Sequence, residues 1–337
     1  MSANTASANT RIVGAARSGL GLQKAFLAIL LVLLVMAVST LFPETRNNFF
    51  SEANFINVLK SASIFIILAM GETIVLIGGG VDLSIGGMMA FSGVCVILLM
   101  NAGVPIPIAI ALALLLGVGV GAINALISVY YRAEPFIITL GMGIVLTGAG
   151  QQLSNARPVS SKVPAFADLA NFKILGPVPL LVVVMLAVVV FTYWLLRSTS
   201  FGRNVYAIGG DAEVAKYSGI NVRRTKAATY LICGLFAALG GVMLASQLNS
   251  ASSIAGEDTA LYVVCAVVVG GTSVAGGVGG AIKSLIGLLL LGLLTNAFNM
   301  LRIDSYVAYL PTALLGIIIV SILWLDSYTR KRRREAV

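Results

Sequence analysis

The sequence contains no histidine. That single absence excludes His-ligated metal centres, haem with a histidine ligand, HExxH proteases and Ser-His-Asp hydrolases. Cysteine is scarce as well. Cys95, Cys233 and Cys265 stand far apart inside apolar runs, and no CxxC occurs. The three read as buried structural thiols, with no thiolate metal site or redox pair. Charge is the third shortage. Asp, Glu, Lys and Arg make up 10% of the 337 residues, where a soluble domain carries about 25%. Apolar residues reach 58% and the mean hydropathy is +0.99. A soluble fold could not hide that much apolar surface from water. The composition therefore predicts an all-α polytopic membrane protein, with no catalytic residues, cofactor or metal.

What is present is a series of long apolar runs. A helix needs about 20 mostly apolar residues to cross a bilayer. Ten candidates follow: 25–42, 61–79, 87–101, 106–131, 135–152, 178–196, 227–247, 260–279, 284–300 and 306–325. The third is short, and only a glycine cluster separates the eighth from the ninth, so the range is eight to eleven. The first run has 18 uncharged residues with no A-x-A site after it, so it reads as a retained helix and not a cleaved signal. The expected organisation is a disordered cytoplasmic tail at 1–23, one transmembrane domain at 24–327 and a basic cytoplasmic tail at 328–337. With both termini inside, sixteen Lys and Arg residues fall on the cytoplasmic side and six outside, namely Arg46, Lys60, Arg157, Lys162, Lys173 and Arg302. That asymmetry obeys the positive-inside rule and accounts for the net charge of +9 without nucleic acid. The basic run at 330–334 reads as an anchor against anionic lipid. Two polar segments remain, an ordered external loop at 153–177 and a cytoplasmic loop at 197–226.

Three stretches carry the chemistry. The first runs from Gly71 to Gly87, with Gly78, Gly79, Gly80, Gly86 and Gly87 bracketing Asp82 and Ser84. Glycine weakens a helix by about 1 kcal/mol per residue and permits close backbone approach. In a membrane such a run is either a broken helix beside a cavity or a packing contact and turn. Glu72 is the one carboxylate deep in a predicted span. It is either a pathway group, able to bind a polar solute or carry a proton, or a paired structural residue. The second stretch, at 270–280, echoes the first with its own paired glycines, as in transporters whose two halves break helices at matching positions. It is not a nucleotide loop: Ile282, not Gly, precedes Lys283-Ser284, so the chain should not hydrolyse ATP itself. The third stretch lies in the cytoplasmic loop. Asp211 can N-cap a helix, Glu213 suits its first turn, and Gly219 suits the residue after its end. A helix of two turns is unstable alone in water, so this one should be docked, on the chain's own helix ends or on a partner.

Taken together, these stretches resemble the permease subunit of ribose-type ABC importers, the inner-membrane component of binding-protein-dependent transport systems. The residues that carry the likeness are Gly-Gly-Val-Asp-Leu-Ser-Ile-Gly at 79–86, Pro-Phe-Ile-Ile-Thr-Leu-Gly at 135–141, the run from Gly202 to Val222, the Gly-Gly-Thr-Ser stretch between Val268 and Gly279, and the late pair Asn296 and Asn299. They occur in family order over roughly residues 50–325. The resemblance implies a pathway formed by two permease subunits, an external solute-binding protein, and a cytoplasmic ATPase pair acting on a short coupling helix at 211–218. Pathway residues would be Glu72, Asp82, Ser84, Thr139, Asn296 and Asn299. Coupling residues would be Gly210, Asp211, Glu213, Ala215, Gly219 and Ile220. The location implied is the bacterial inner membrane. The chain departs from the pattern before the second glycine cluster, where Ala260 and Tyr262 replace common carboxylates and Ser250 to Ser253 reads Ser-Ala-Ser-Ser. A sugar or similar small polar solute is expected. The contrasting expectation is a secondary transporter that uses Glu72 as its proton site.

Overall fold

The structure, a computed structural model, describes residues 51–300 together with 313, 316, 317 and 320. The span expected at 25–42 and both tails lie outside the described residues, and the span expected at 306–325 is described only at those four positions. The helices are α1 (Glu52–Ile77), α2 (Ile85–Asn101), α3 (Ile106–Ala125), α4 (Pro135–Ser154), α5 (Ala165–Asn171) and α6 (Leu180–Ser198). They continue as α7 (Ser200–Gly210), α8 (Ala212–Tyr217), α9 (Val222–Leu248), α10 (Thr259–Val269) and α11 (Ala281–Met300). A five-residue π-turn, Leu126–Tyr130, extends α3. Among the described residues six of these helices are long and apolar enough to cross a membrane, and α2 and α10 are shorter apolar helices.

Eight of the ten expected spans thus have a helix in place. Their ends differ for a physical reason: hydropathy marks the part of a helix in hydrocarbon, while the helix itself runs on through polar turns. α1 begins at Glu52 and α9 at Val222, ahead of the apolar runs at 61–79 and 227–247. One expectation is corrected. The run at 260–279 is a half-length helix, because α10 stops at Val269 and a glycine loop follows. Gly271, Gly276 and Gly277 take φ of +105°, +85° and +70°, which no α-helix accommodates. The segment at 197–226 is also more ordered than a loop. α6 runs on to Ser198, and the Thr199 hydroxyl caps α7 by accepting from Gly202 N–H at 3.1 Å.

Phe55–Leu289 form one compact unit, and the described residues before and after it belong to a second. In the second, Asn54 and Asn296 exchange side-chain hydrogen bonds of 3.0 and 2.9 Å. Within the first, α9 is the central post. It packs on α3 through paired glycines: a Cβ on Gly117 would lie 2.3 Å from the Gly234 carbonyl oxygen, and one on Gly121 would lie 2.3 Å from that of Tyr230. Small residues four apart let two membrane helices approach backbone to backbone, where dispersion and not water exclusion holds them. A Cβ on Gly241 would meet the Met89 carbonyl at 2.0 Å, so α9 and α2 touch in the same way. α1 is buried along most of its length, with its own Ile66, Ile67, Leu68, Met70 and Ile74 fully covered, whereas α4 leaves most of its apolar surface uncovered.

The two ends of α9 carry different segments. At its last turn Ser246 accepts from Ala170 N–H at 2.9 Å, and α5 lies there with the two-residue strands Val159–Ser160 and Ser250–Ala251 paired antiparallel. Lys60 donates to Asn171 at this end. Residues expected outside therefore meet one another. The first turn of α9 instead meets α8, the end of α3 and the first glycine run, all expected inside.

Candidate functional site

The first glycine run breaks the chain between α1 and α2. Gly79 takes φ +72°, and the chain returns through Val81 and Asp82 to Ser84. Gly79 is exposed, but the connection is buried from Asp82 to Ser84, so its polar groups there need partners from protein. Asp82 supplies the centre. Its Oδ1 accepts from Ser84 N–H at 3.0 Å, from Ser84 Oγ at 2.5 Å and from Asn124 Nδ2 at 3.3 Å. Asn124, on α3, also donates to Ser84 Oγ at 2.8 Å. Glu72 accepts from Asp82 N–H at 3.3 Å, with the Cys233 thiol 3.9 Å from its other oxygen. Thr139 on α4 accepts from Leu83 N–H at 3.0 Å and donates to the Pro135 carbonyl at 2.9 Å. Tyr230 on α9 donates to the Val81 carbonyl at 3.4 Å. Four helices thus hold one unwound segment of seven residues.

Four of the six expected pathway residues, Glu72, Asp82, Ser84 and Thr139, come together here, and all four are buried. Asn296 pairs with Asn54 in the other unit, and Asn299 is exposed on α11. Asn124, Tyr230 and Cys233 join the cluster without having been picked from the sequence. An asparagine inside the apolar run at 106–131 was the available signal, since a polar side chain in a membrane span must find a partner. The next residue after Glu72 serves the second break. Thr73 donates to Ser284 Oγ at 2.6 Å, and Ser284 lies 3.2 Å from Thr272 Oγ1 in the second glycine loop.

The two glycine clusters, about 190 residues apart, touch. Gly277 N–H donates to the Ile77 carbonyl at 2.9 Å, and a Cβ on Gly276 would lie 3.1 Å from Gly79 Cα. A third pair joins them. A Cβ on Gly209 would fall 1.7 Å from the Ile77 carbonyl oxygen and 2.6 Å from Gly277 N. Gly209 and Gly210 close α7, and Asp211 follows at once. Three glycine pairs therefore form one knot of backbone. It ties both helix breaks to the start of α8, and at Gly209, Gly276 and Gly277 it leaves no room for a Cβ.

α8 is the two-turn helix expected at 211–218. Asp211 Oδ1 accepts from Glu213 N–H at 2.9 Å and Val214 N–H at 3.0 Å. Its far end closes as a Schellman motif, with Ile220 N–H on the Ala215 carbonyl at 3.1 Å, Gly219 N–H on the Lys216 carbonyl at 3.0 Å, and Gly219 at φ +83°. Ala215 is buried against the chain itself, while Asp211, Glu213 and Gly219 are exposed. Val214 and Tyr217, 60% and 89% exposed, stand one turn apart and face away from the protein. The sequence reading passed over them, although an apolar pair at i, i+3 in a polar loop is a docking signal. Beside α8 opens a cavity of about 1140 Å³, lined by Gly79, Ser128, Arg132, Lys216, Arg223 and Lys226 among others.

Residues 54–323 match the family described as branched-chain amino acid transport system, permease component. The ribose import permease protein RbsC of Escherichia coli (strain K12) is 36% identical over 301 residues, which cover 88% of this chain and 92% of RbsC. The D-allose transport system permease protein AlsC of the same strain is 32% identical over 294 residues, 87% of this chain and 88% of AlsC. A solved inward-facing transporter assigned to the metal-chelate ABC type superposes with a TM-score of 0.50 at 17% identity, covering 90% of this chain and 98% of that one. That likeness concerns the fold.

Proposed function

The chain belongs to the branched-chain amino acid transport system permease-component family, and from that premise we propose that it forms the membrane pathway of an ABC importer for a sugar. It is a multi-pass membrane subunit and not an enzyme. The sugar assignment follows the ribose and D-allose permeases among its relatives. Its partners are a cytoplasmic ATPase pair, an external solute-binding protein and a second permease subunit.

The observation that carries the mechanism is the glycine knot. An ATPase seated on Val214 and Tyr217 would move α8, and α8 starts at the residue after Gly210. Because Gly209, Gly276 and Gly79 meet backbone to backbone, a displacement of α8 reaches both helix breaks without passing through a flexible side chain. Gly210, Asp211, Glu213, Ala215, Gly219 and Ile220 have a common role in this reading: they shape, cap and seat the moving helix. Glu72, Asp82, Ser84 and Thr139 act on the pathway as positioning residues, by fixing the unwound segment that the knot pulls. Asn299, exposed on α11, is left to face solute directly, and Asn296 is braced by Asn54. Proton coupling through Glu72 is not favoured, since Glu72 is sealed from solvent and accepts from the Asp82 backbone.

The test is reconstitution. Proteoliposomes holding this permease, its ATPase and sugar-loaded binding protein should accumulate labelled sugar only with ATP present. The permease alone should show neither uptake nor ATP hydrolysis. Accumulation by the permease alone, driven by a pH gradient, would defeat the assignment.

A further inference from the structure

The cavity beside α8 lies where three spans begin or end: α3 finishes in its π-turn, α4 starts at Pro135 and α9 starts at Val222. Four cations line it, Arg132, Lys216, Arg223 and Lys226, against two carboxylates, Glu134 and Glu213. None of these six side chains has an ion pair or hydrogen bond among the described residues. Chains that gather cations around a concave site without internal partners leave them for an external anion. A second observation points the same way. Ser128, only 8% exposed, lines the cavity, and its buried hydroxyl has no hydrogen-bond partner among the described residues. Lys226 Nζ reaches the first helix break, 3.9 Å from where a Cβ of Gly79 would sit.

The setting identifies which anion. Tyr130 and Tyr131 precede Arg132, and Tyr131 is 76% exposed, as aromatic residues are at a membrane–water border. Phe136 on the cavity wall and Ile137 after it are exposed apolar residues of α4, continuous with its uncovered apolar face. A ligand here meets positive charge at its head and hydrocarbon-like surface along its body. We propose that the cavity binds the headgroup of an anionic phospholipid, with the phosphodiester among Arg132, Arg223, Lys216 and Lys226, the Ser128 hydroxyl donating to it, and an acyl chain lying along α4. A lipid so placed wedges between α8 and the α3–α4 turn, so its binding biases the coupling helix.

The test uses the full permease in nanodiscs and detergent. Native mass spectrometry should show phosphatidylglycerol retained on the protein under conditions that strip phosphatidylcholine. Arg132→Gln and Lys226→Gln should each weaken that retention about fivefold, the effect of one basic residue near an anionic surface. The charge-conserving Arg132→Lys should keep most of it, which separates lost binding from misfolding. Lys162→Gln, at the other end of the bundle, should change nothing. Equal retention of the two lipids, or undiminished phosphatidylglycerol in the Gln variants, would overturn the proposal. Displacement by millimolar inorganic phosphate would reassign the cavity to a soluble anion, and displacement by the ATPase subunit would reassign it to that partner.

Discussion

Two aspartates in this molecule perform the same local act in opposite surroundings. Asp82 and Asp211 each turn a carboxylate back onto N–H groups just after them, at 3.0 Å for Ser84 and at 2.9 and 3.0 Å for Glu213 and Val214. Asp211 stands in water and caps a helix whose outer face is bare. Asp82 is sealed and adds ties to Ser84 Oγ and Asn124. The difference shows what burial adds to a hydrogen bond. At Asp211 water can replace any lost partner, so the cap sets the shape of an exposed segment without locking it. At Asp82 no replacement exists, so the cluster is a fixed pivot.

That contrast orders the expected effects of substitution. Asp82→Ala strands three buried donors, and at about 1–3 kcal/mol for each unsatisfied group it should be the most damaging change. The measurement is thermal unfolding in detergent alongside uptake, and both should fall sharply. Full stability in that variant would break the distinction between pivot and cap. Gly209→Ala comes next. Its methyl would collide with the Ile77 carbonyl, forcing apart the knot at a cost of about 1–3 kcal/mol. ATPase association should persist while ATP-driven uptake is lost; retained uptake would show that force travels by another route. Asp211→Ala should cost about 0.5–2 kcal/mol of local helix stability, with weakened co-purification of the ATPase and little change in global unfolding. Tyr217→Ala should leave unfolding within about 0.5 kcal/mol of the parent, as an exposed substitution does, yet reduce stimulated ATP hydrolysis. Glu72→Gln should have the smallest effect of all, because a Gln carbonyl can still accept from Asp82 N–H. Uptake in that variant should be indifferent to collapse of the proton gradient.

Much of this was readable in advance because it is local. Apolar runs reported eight helices through their length alone, and the pairing of Asp211 with Gly219 marked both ends of α8 eight residues apart. Paired glycines marked both places where a helix could break, without deciding between a break and a packing contact. Other features were unreadable for a definite reason. The half-length α10 looked like a full span because Gly-Gly-Thr-Ser-Val-Ala-Gly is apolar enough to pass for membrane, and hydropathy cannot see the φ values of +70° to +105° that end the helix. Asn124 stood out as a polar residue in an apolar run, but its partners, Asp82 and Ser84, lie 42 and 40 positions away. Asn296 turned out to be paired with Asn54, 242 positions away.

Composition, spacing and capping chemistry by themselves determined that this chain lives in lipid, where most of its helices run, and where a short capped helix interrupts the loop. These properties depend on interactions within a turn or two of chain. Only the tertiary structure decided that Gly79, Gly209 and Gly276 share one point, that Glu72 and Asp82 are shut away from solvent, and that four cations ring one cavity. Each of those depends on how close two distant backbones can come, which is set by the packing of whole helices and by the absence of a single carbon atom at the place where they touch.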